Sequence, residues 1–300
     1  MLKVRRLIKS ILPDFILEAY YEKMRDRIFF TKHGYHLNVE KPVSFNDKLY
    51  YRKCYGNFDT MAMIADKYRV REYVEQRIGS DYLIPLLGTY DSFSYDDWNK
   101  LPNSFVLKTN HGSGPDHVEI VKDKNKANPG EIIKKFRNAL NDDFGLLTNE
   151  PFYQKIQRKI IAETYLESGM FTPDDFKFQC FGDELLIQVD RGRYENHQRS
   201  IFDRNWVEMD YKLNSSYSKI DKCAVPDNLS EMIRLAEILS KDFDYIRIDF
   251  FNVDGKIYIG ELTQTHGNGL EDFKPTKIDF EWGGYWKLDV DNELLYRKRY

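Results

Sequence analysis

The stretch Tyr245-Ile-Arg-Ile-Asp-Phe-Phe-Asn-Val-Asp-Gly-Lys-Ile-Tyr-Ile-Gly-Glu-Leu-Thr-Gln264 constrains the fold most, because two alternating apolar runs meet at Asp254-Gly255. Period-two alternation marks strands with one buried face, and Asp-Gly between two such runs marks a hairpin turn. A three-residue loop Val253-Asp254-Gly255, with the glycine left-handed, makes Asn252 and Lys256 the flanking pair. That register puts Arg247, Asp249, Glu261 and Thr263 on one face. Ile246, Ile248, Phe250, Tyr258 and Leu262 point to the other, which is core. A two-residue turn would instead send Asp249 and Glu261 to opposite faces. Paired carboxylates on rigid strands can hold magnesium through oxygen ligands. An arginine among acids in a hairpin is, by itself, more often a cross-strand ion pair.

Support comes from Phe105-Val-Leu-Lys-Thr-Asn-His-Gly-Ser-Gly114, where a buried strand delivers Lys108 ahead of a glycine-rich turn. Lys108 supplies a point charge, and Gly112, Ser113 and Gly114 supply backbone N–H donors on a loop free to fold over phosphate oxygens. No GxxxxGK[ST] run occurs and the glycines do not fit GxGxxG, so P-loop and Rossmann phosphate sites are excluded. Together the two stretches point to a nucleotide-phosphate site of another kind.

Three hundred residues suffice for one large domain or two lobes without disulfide or metal staples. A net charge of −3 and a pI near 6.1 give no global attraction to nucleic acid, which is not expected as a partner. Cys54, Cys180 and Cys223 are widely spaced, so neither a disulfide framework nor a zinc cluster is indicated and a cytoplasmic location is expected. No apolar run is long enough to span a bilayer. Lys3, Arg5, Arg6 and Lys9 interleave with Leu2, Val4, Leu7, Ile8, Ile11 and Leu12. Such a helix either docks on the protein body or makes peripheral contact with an anionic membrane surface.

Residues 1–30 and Phe45 to Arg52 read as helical, and Met61 to Ile78 as one helix containing Asp66-Lys67. Pro129 to Leu140 and Asp227 to Lys241 are further helices, with strands at Phe105 to Lys108, around Glu163, and on both sides of Gly182-Asp183. This mixture of helices and hairpins predicts an α+β fold rather than repeated parallel βαβ units. The expected organisation is a helical N-terminal extension over 1–58, a catalytic region over 59–285 and a C-terminal tail over 286–300.

The series Asp66-Lys67, Lys108 with its glycine loop, Glu163, Lys177, Arg247 two before Asp249, and Glu261-Leu-Thr263 resembles the ATP-grasp superfamily. The phrases Phe45-Asn-Asp-Lys48, Asp66-Lys-Tyr-Arg-Val-Arg-Glu-Tyr73, Gln188-Val-Asp-Arg191 and Arg247-Ile-Asp-Phe-Phe251 resemble its TupA-like branch, linked to teichuronopeptide and bacterial surface-polysaccharide biosynthesis, over roughly residues 40–285. The resemblance implies two α+β lobes enclosing ATP, with Lys67 and Lys108 on its phosphates, Glu163 at the hinge by adenine and ribose, and Lys177 lining the cleft. It further implies Asp249 and Glu261 as magnesium ligands, and Arg247 as the group that stabilises charge at the acyl centre of a carboxylate–amine ligase. Thr263 stands where asparagine usually completes the metal set, so Thr263, Gln264 or Asn268 would have to substitute. The implied partners are a carboxylate-bearing glycan or sugar precursor and an amine.

Asp190, Arg191, His197 and Arg199 form a polar loop suited to a carboxylate or sugar acceptor, since arginine grips carboxylates bidentately. A glycosyltransferase is the competing reading, resting on the DxD patterns Asp242-Phe-Asp244 and Asp289-Val-Asp291. A nucleotide-binding partner without chemistry is a third, against which the retention of Lys108, Arg247, Asp249 and Glu261 speaks.

Overall fold

The structure, a computed structural model, describes residues 14–167, 174–192 and 196–298. The basic segment 1–12 lies outside the described residues. The chain enters through α1 (Asp14–His33) and α2 (Phe45–Tyr55). The start of α2 is fixed by a capping box, in which Ser44 Oγ accepts the Asp47 N–H and the Asp47 carboxylate accepts the Ser44 N–H. Two short helices, α3 (Phe58–Ala65) and α4 (Val70–Ile78), replace the single helix expected over 61–78. The break lies at Asp66, whose carboxylate accepts the N–H groups of Tyr68 and Arg69 and so starts a new helix. Lys67 therefore sits on an elbow.

The first lobe is a four-stranded antiparallel sheet of order β1-β4-β2-β3. It is built from β1 (Leu86–Tyr90), β2 (Phe105–Thr109), β3 (Val118–Val121) and β4 (Ile160–Thr164). α5 (Tyr95–Lys100) and α6 (Pro129–Asn141) cover one face, packing Trp98, Ile132, Ile133 and Phe136 onto Phe105, Leu107, Ile160 and Ala162. α6 begins as the sequence indicates, with Asn128 as cap, Pro129 in its first turn and Glu131 behind it. The opposite face carries Val106, Lys108, Ile161 and Glu163, which look into the interlobe space. A short α7 (Phe144–Thr148) precedes β4.

The second lobe is a five-stranded antiparallel sheet of order β10-β9-β5-β6-β7. Its strands are β5 (Asp175–Phe181), β6 (Glu184–Arg191), β7 (Gln198–Asp203), β9 (Ile246–Val253) and β10 (Lys256–Thr263), while β8 (Lys212–Leu213) pairs with β11 (Phe273–Lys274). α8 (Leu229–Ser240) lays Met232, Leu235, Ala236 and Leu239 on Phe178, Ile187, Ile246, Ile248 and Phe250. A second core joins α2 to α9 (Lys277–Tyr285) through Phe45, Tyr245, Trp282 and Trp286. Packing crosses both expected boundaries: Arg52 lies among Asp244, Tyr245 and Tyr296, and Trp286, Leu295 and Tyr296 are buried.

The hairpin reaches its expected result by a different route. Val253 pairs with Lys256, so the turn has two residues, Asp254 and Gly255, both at positive φ (51° and 78°), and the three-residue loop is not formed. Such a turn matches the right-handed twist of the strands. Alone it would separate the acids, but a register shift at Gly260 puts Glu261 opposite Asp249 and Thr263 opposite Arg247. One bulged residue reverses the facing of everything after it. Tyr258 consequently pairs with Phe251 on the polar face, and Ile257 and Ile259 take the core positions instead.

Candidate functional site

On the first lobe, Lys108 and Glu163 are diagonal neighbours on one face, and Lys108 Nζ donates to Glu163 Oε2 at 2.6 Å. Arg71, from α4, reaches the other carboxylate oxygen at 3.3 Å, so the buried Glu163 serves two cations. The glycine loop begins at Asn110, a fully buried side chain that ties three segments together. Its Nδ2 donates to Asp66 Oδ1 and to the Gln157 carbonyl, and its Oδ1 accepts the Lys159 N–H. The Lys67 N–H donates to the Asn110 carbonyl and Lys67 Nζ to the Gly112 carbonyl at 2.7 Å. Gly112 is required by a close approach, because a Cβ there would fall 2.2 Å from the His117 ring. Gly114 is required by its φ of 84°. Ser113 is exposed between them.

On the second lobe, antiparallel pairing arranges polar residues in rows. Glu261, Asp249, Lys177 and Gln188 form one row, and Thr263, Arg247 and Gln179 the next. Asp175, Asp190 and Arg199 form a third. Arg247 is the hub. Its Nε donates to Asp249 Oδ1 at 2.6 Å, and its Nη2 donates to Asp249 Oδ2, Glu261 Oε1 and Thr263 Oγ1. Nη1 lies 3.0 Å from His266 Nδ1. Lys177 Nζ lies 3.1 Å from Asp175, 3.4 Å from Asp249 and 3.7 Å from Asp190, bridging the rows.

Burial and charge pull these groups in opposite directions. Desolvation lowers the Lys67 ammonium from its ordinary value, while Glu261 across the cleft and Glu163 beside it hold the proton on. Burial raises the Asp249 carboxyl against the pull of Arg247 and Lys177. Glu261 behaves oppositely: burial is outweighed by Arg247 and Lys67, which hold it at about 2. Burial likewise opposes ionisation of Asp190, yet His197, Arg199 and Lys177 keep it well below the usual carboxylate range.

Of the four expected acceptor residues, Asp190, His197 and Arg199 come together at the end of the polar face, on strand as much as on loop. His197 Nε2 is 3.1 Å from Asp190 Oδ1. Arg191 turns to the other face, where it forks onto Asp174. Arg199 is itself committed, to Asp190 through Nε and Nη2 and to Glu271 through Nη1. The bidentate grip expected for an acceptor is thus already used on protein carboxylates. The DxD aspartates are committed as well. Asp244 pairs with the buried Arg52 and accepts from Tyr296 Oη and the Asp289 N–H, Asp242 pairs with Arg77, and Asp289 accepts from Asn292. Thr263 donates to Glu261 Oε1 at 2.8 Å, whereas Asn268 is held by Lys53 and the Thr148 carbonyl and the Gln264 side chain is buried.

The residues present suit a magnesium–nucleotide ligand. The first-lobe face sets Lys67, Lys108 and Arg71 against Glu163, a surplus of positive charge for phosphates. The second-lobe face sets Asp175, Asp190, Asp249 and Glu261 against Lys177, Arg199 and Arg247, a surplus of negative charge for a cation. Among the described residues Glu261 Oε2 accepts no hydrogen bond, leaving a hard oxygen donor on the polar face. No cluster of three or more His, Cys, Asp or Glu side chains suited to a metal occurs among the described residues. Magnesium does not require such a cluster, since it takes one or two carboxylates and completes its shell with phosphates and water. Asn110 and Arg71 were missed as site residues from sequence, and His266, which stands beside Gly267 where it could face the reacting groups, had no role assigned by sequence. Asn110 lies inside the quoted lysine–glycine motif, but its three partners are remote in the chain.

No curated protein sequence matches the chain. Among solved structures it is similar to the D-alanine–D-alanine ligase from Bacillus anthracis complexed with ATP, at 16% identity over 68% of this chain and 55% of that one, TM-score 0.40. It is similar to D-alanine–D-alanine ligase from Helicobacter pylori, at 16% identity over 75% of this chain and 62% of that one, TM-score 0.44. A RimK domain protein ATP-grasp from Sphaerobacter thermophilus DSM 20745 gives 10% identity over 75% and 66%, TM-score 0.41. The matched part is less than two thirds of the length of either D-alanine–D-alanine ligase. Likeness this distant carries no argument about substrates. The sequence profile described as TupA-like ATPgrasp matches residues 47–287, most of the chain, and with the lysine and carboxylate faces set out above the chain belongs to the TupA-like ATP-grasp family.

Proposed function

We propose that the protein is an ATP-dependent carboxylate–amine ligase of bacterial surface-polysaccharide biosynthesis. The observation that carries this reading is the facing of two unlike surfaces: lysines and a glycine loop on one lobe, paired carboxylates on strands β9 and β10 of the other. Lys67 and Lys108 bind and orient the ATP phosphates, helped by the N–H groups of Gly112, Ser113 and Gly114. Glu163 and Lys177 line the nucleotide cleft. Asp249 and Glu261 hold magnesium, with Thr263 beside them; when bound, the ion supplies charge neutralisation at the transferring phosphoryl group.

In the proposed reaction a carboxylate oxygen attacks the γ-phosphorus, the bond to the β-phosphate oxygen breaks and ADP leaves. An amine then attacks the acyl carbon, loses a proton, and phosphate leaves as the amide forms. Arg247 holds the acyl oxygen as charge develops there, the role for which a fixed guanidinium is suited. Its Nη1 retains one hydrogen beyond the contact with His266. The carboxylate is a uronic acid and the amine an amino acid, acting at the cytoplasmic side with the basic N-terminal segment meeting the membrane.

The test is to incubate purified protein with ATP-magnesium, uronic acids and amino acids, following ADP release and new amide products, with sugar nucleotides in parallel. The reading predicts ADP release dependent on both acceptors and no transfer from sugar nucleotides. Glycosyl transfer abolished by substitution of Asp242 or Asp244 would make the glycosyltransferase reading correct.

A further inference from the structure

His266 follows the β10 strand in a tight turn whose residues Gly267 and Asn268 have positive φ. It is only 2% exposed. Its Nδ1 lies 3.0 Å from Nη1 of Arg247, and a guanidinium can only donate. Nδ1 must therefore accept, so the ring proton resides on Nε2. Burial together with the Arg247 charge keeps the ring neutral, far below its ordinary value. The Nε2–H has no hydrogen-bond partner among the described residues and is shut off from solvent. A buried donor left unpaired is costly, so an unpaired donor wedged against Arg247 asks for an acceptor atom. The ring lies between Arg247, which shares the row of Thr263 and Gln179, and the Phe45 ring 6.2 Å away. The arginines expected to receive an acceptor's carboxylate, Arg191 and Arg199, are both spent on Asp174, Asp190 and Glu271.

We propose that His266 is a substrate-positioning residue: with its proton on Nε2, it donates to a carboxyl oxygen of the molecule to be activated, alongside the free Nη1 hydrogen of Arg247. The inference rests on the ligase reading and adds the residue that positions the carboxylate named there. Two functions are combined in one ring, since Nδ1 orients Arg247 and Nε2 reads the substrate. Substitutions separate them. Asn at 266 keeps an acceptor near the Nδ1 position and removes the donor at Nε2; Gln keeps a donor near Nε2 and removes the acceptor.

The experiment uses the full chain labelled with 15N-histidine. The ring of His266, assigned by its absence in His266→Asn, is predicted to show the Nε2–H tautomer. With ATP-magnesium analogue bound, acetate or D-glucuronate is predicted to shift the Nε2–H resonance, whereas D-glucose leaves it in place. By calorimetry, His266→Asn should bind the ATP-magnesium analogue like the parent and weaken binding of the carboxylate probe by about ten- to a hundredfold, with His266→Gln recovering most of the loss. If the analogue binds and neither carboxylate moves the resonance, the substrate role of His266 is overturned while the nucleotide site stands. If Gln is the worse variant, His266 serves only to hold Arg247, and the proposal falls. If the analogue itself does not bind, the ligase reading fails and takes the proposal with it.

Discussion

Arg247 is held by two carboxylates, a hydroxyl and an imidazole, and almost all of its hydrogen-bonding capacity is spent before any ligand arrives. Truncating it to alanine would deprive the buried Asp249 of its bidentate partner, a change that commonly costs about 3–5 kcal/mol of stability, and would also release the half-exposed Glu261. Arg247→Lys is the more informative substitution, because it keeps the charge and removes the planar fork. We expect this variant to fold and to bind ATP-magnesium within a few-fold of the parent, while turnover falls by about two to three powers of ten, the scale set by losing one oxyanion donor. Unaltered turnover in a folded Arg247→Lys protein would make the arginine a structural clasp for the two acids. The identity of Arg247, Asp249 and Glu261 as a group was legible in the sequence because all lie in one hairpin. The position of His266 beside a glycine was visible too, but not its role, which comes from a contact across nineteen residues and from a missing partner, neither of which leaves a pattern.

At the scale of elements, two local irregularities place the site. The bulge at Gly260 brings Glu261 opposite Asp249, and the break at Asp66 puts Lys67 on an elbow facing Gly112. The face of the acids was legible from alternation, but turn length was not, since Asp254-Gly255 suits a two-residue turn as well as the end of a three-residue loop. The glycine inside an otherwise apolar strand was the available signal of a bulge. Periodicity alone ran through Asp66 because the residues on both sides are helical, and only its side-chain bonds reveal a cap. Asp66 and Asn110 should therefore act as one unit joining the elbow to the loop. We predict that Asp66→Ala costs about 1–2 kcal/mol through lost capping, and that Asn110→Ala adds less to it than it costs alone. Urea denaturation of the two single variants and the double variant measures this; strictly additive losses would show that the elbow and loop are independent.

The whole molecule responds to pH through two buried histidines, His33 beneath the turn at Gly269 and His111 in the glycine loop. Burial lowers His33 to about 4, its Nε2 lying 3.1 Å from the Gly269 carbonyl oxygen, and burial together with Arg158 lowers His111 to about 4. Such groups take up protons in the unfolded chain at about 6.5 before they do so in the folded one, so their contribution is present above that pH and lost as pH falls toward 4. Asp279 opposes them. Burial raises it to about 6, so its share is present at low pH and lost as pH rises between about 4 and 6. Each term is on the order of 3 kcal/mol, and two against one leaves a net loss on acidification. We expect the urea midpoint to fall between about pH 7 and about pH 5, and His33→Gln, which keeps a donor for Gly269, to flatten that fall. A midpoint that rises over this interval would contradict the assignment.

Two α+β lobes with unlike polar faces were legible from motif order, whereas the packing of the last residues around Arg52 was not, because polar stretches such as Asp289-Val-Asp291 read alike whether they are free or folded back. No helix among the described residues is long and apolar enough to cross a membrane. If a nucleotide lies between those faces, calorimetric titration of ATP-magnesium into the parent and into Lys108→Ala will register it. Removing Lys108 should leave the fold intact, since Glu163 keeps Arg71 as its partner. The parent should bind, and affinity should weaken at least about tenfold in the folded variant, the effect of losing one charge-assisted hydrogen bond. Equal affinity in the two proteins, or no binding to either, would contradict that placement of the nucleotide.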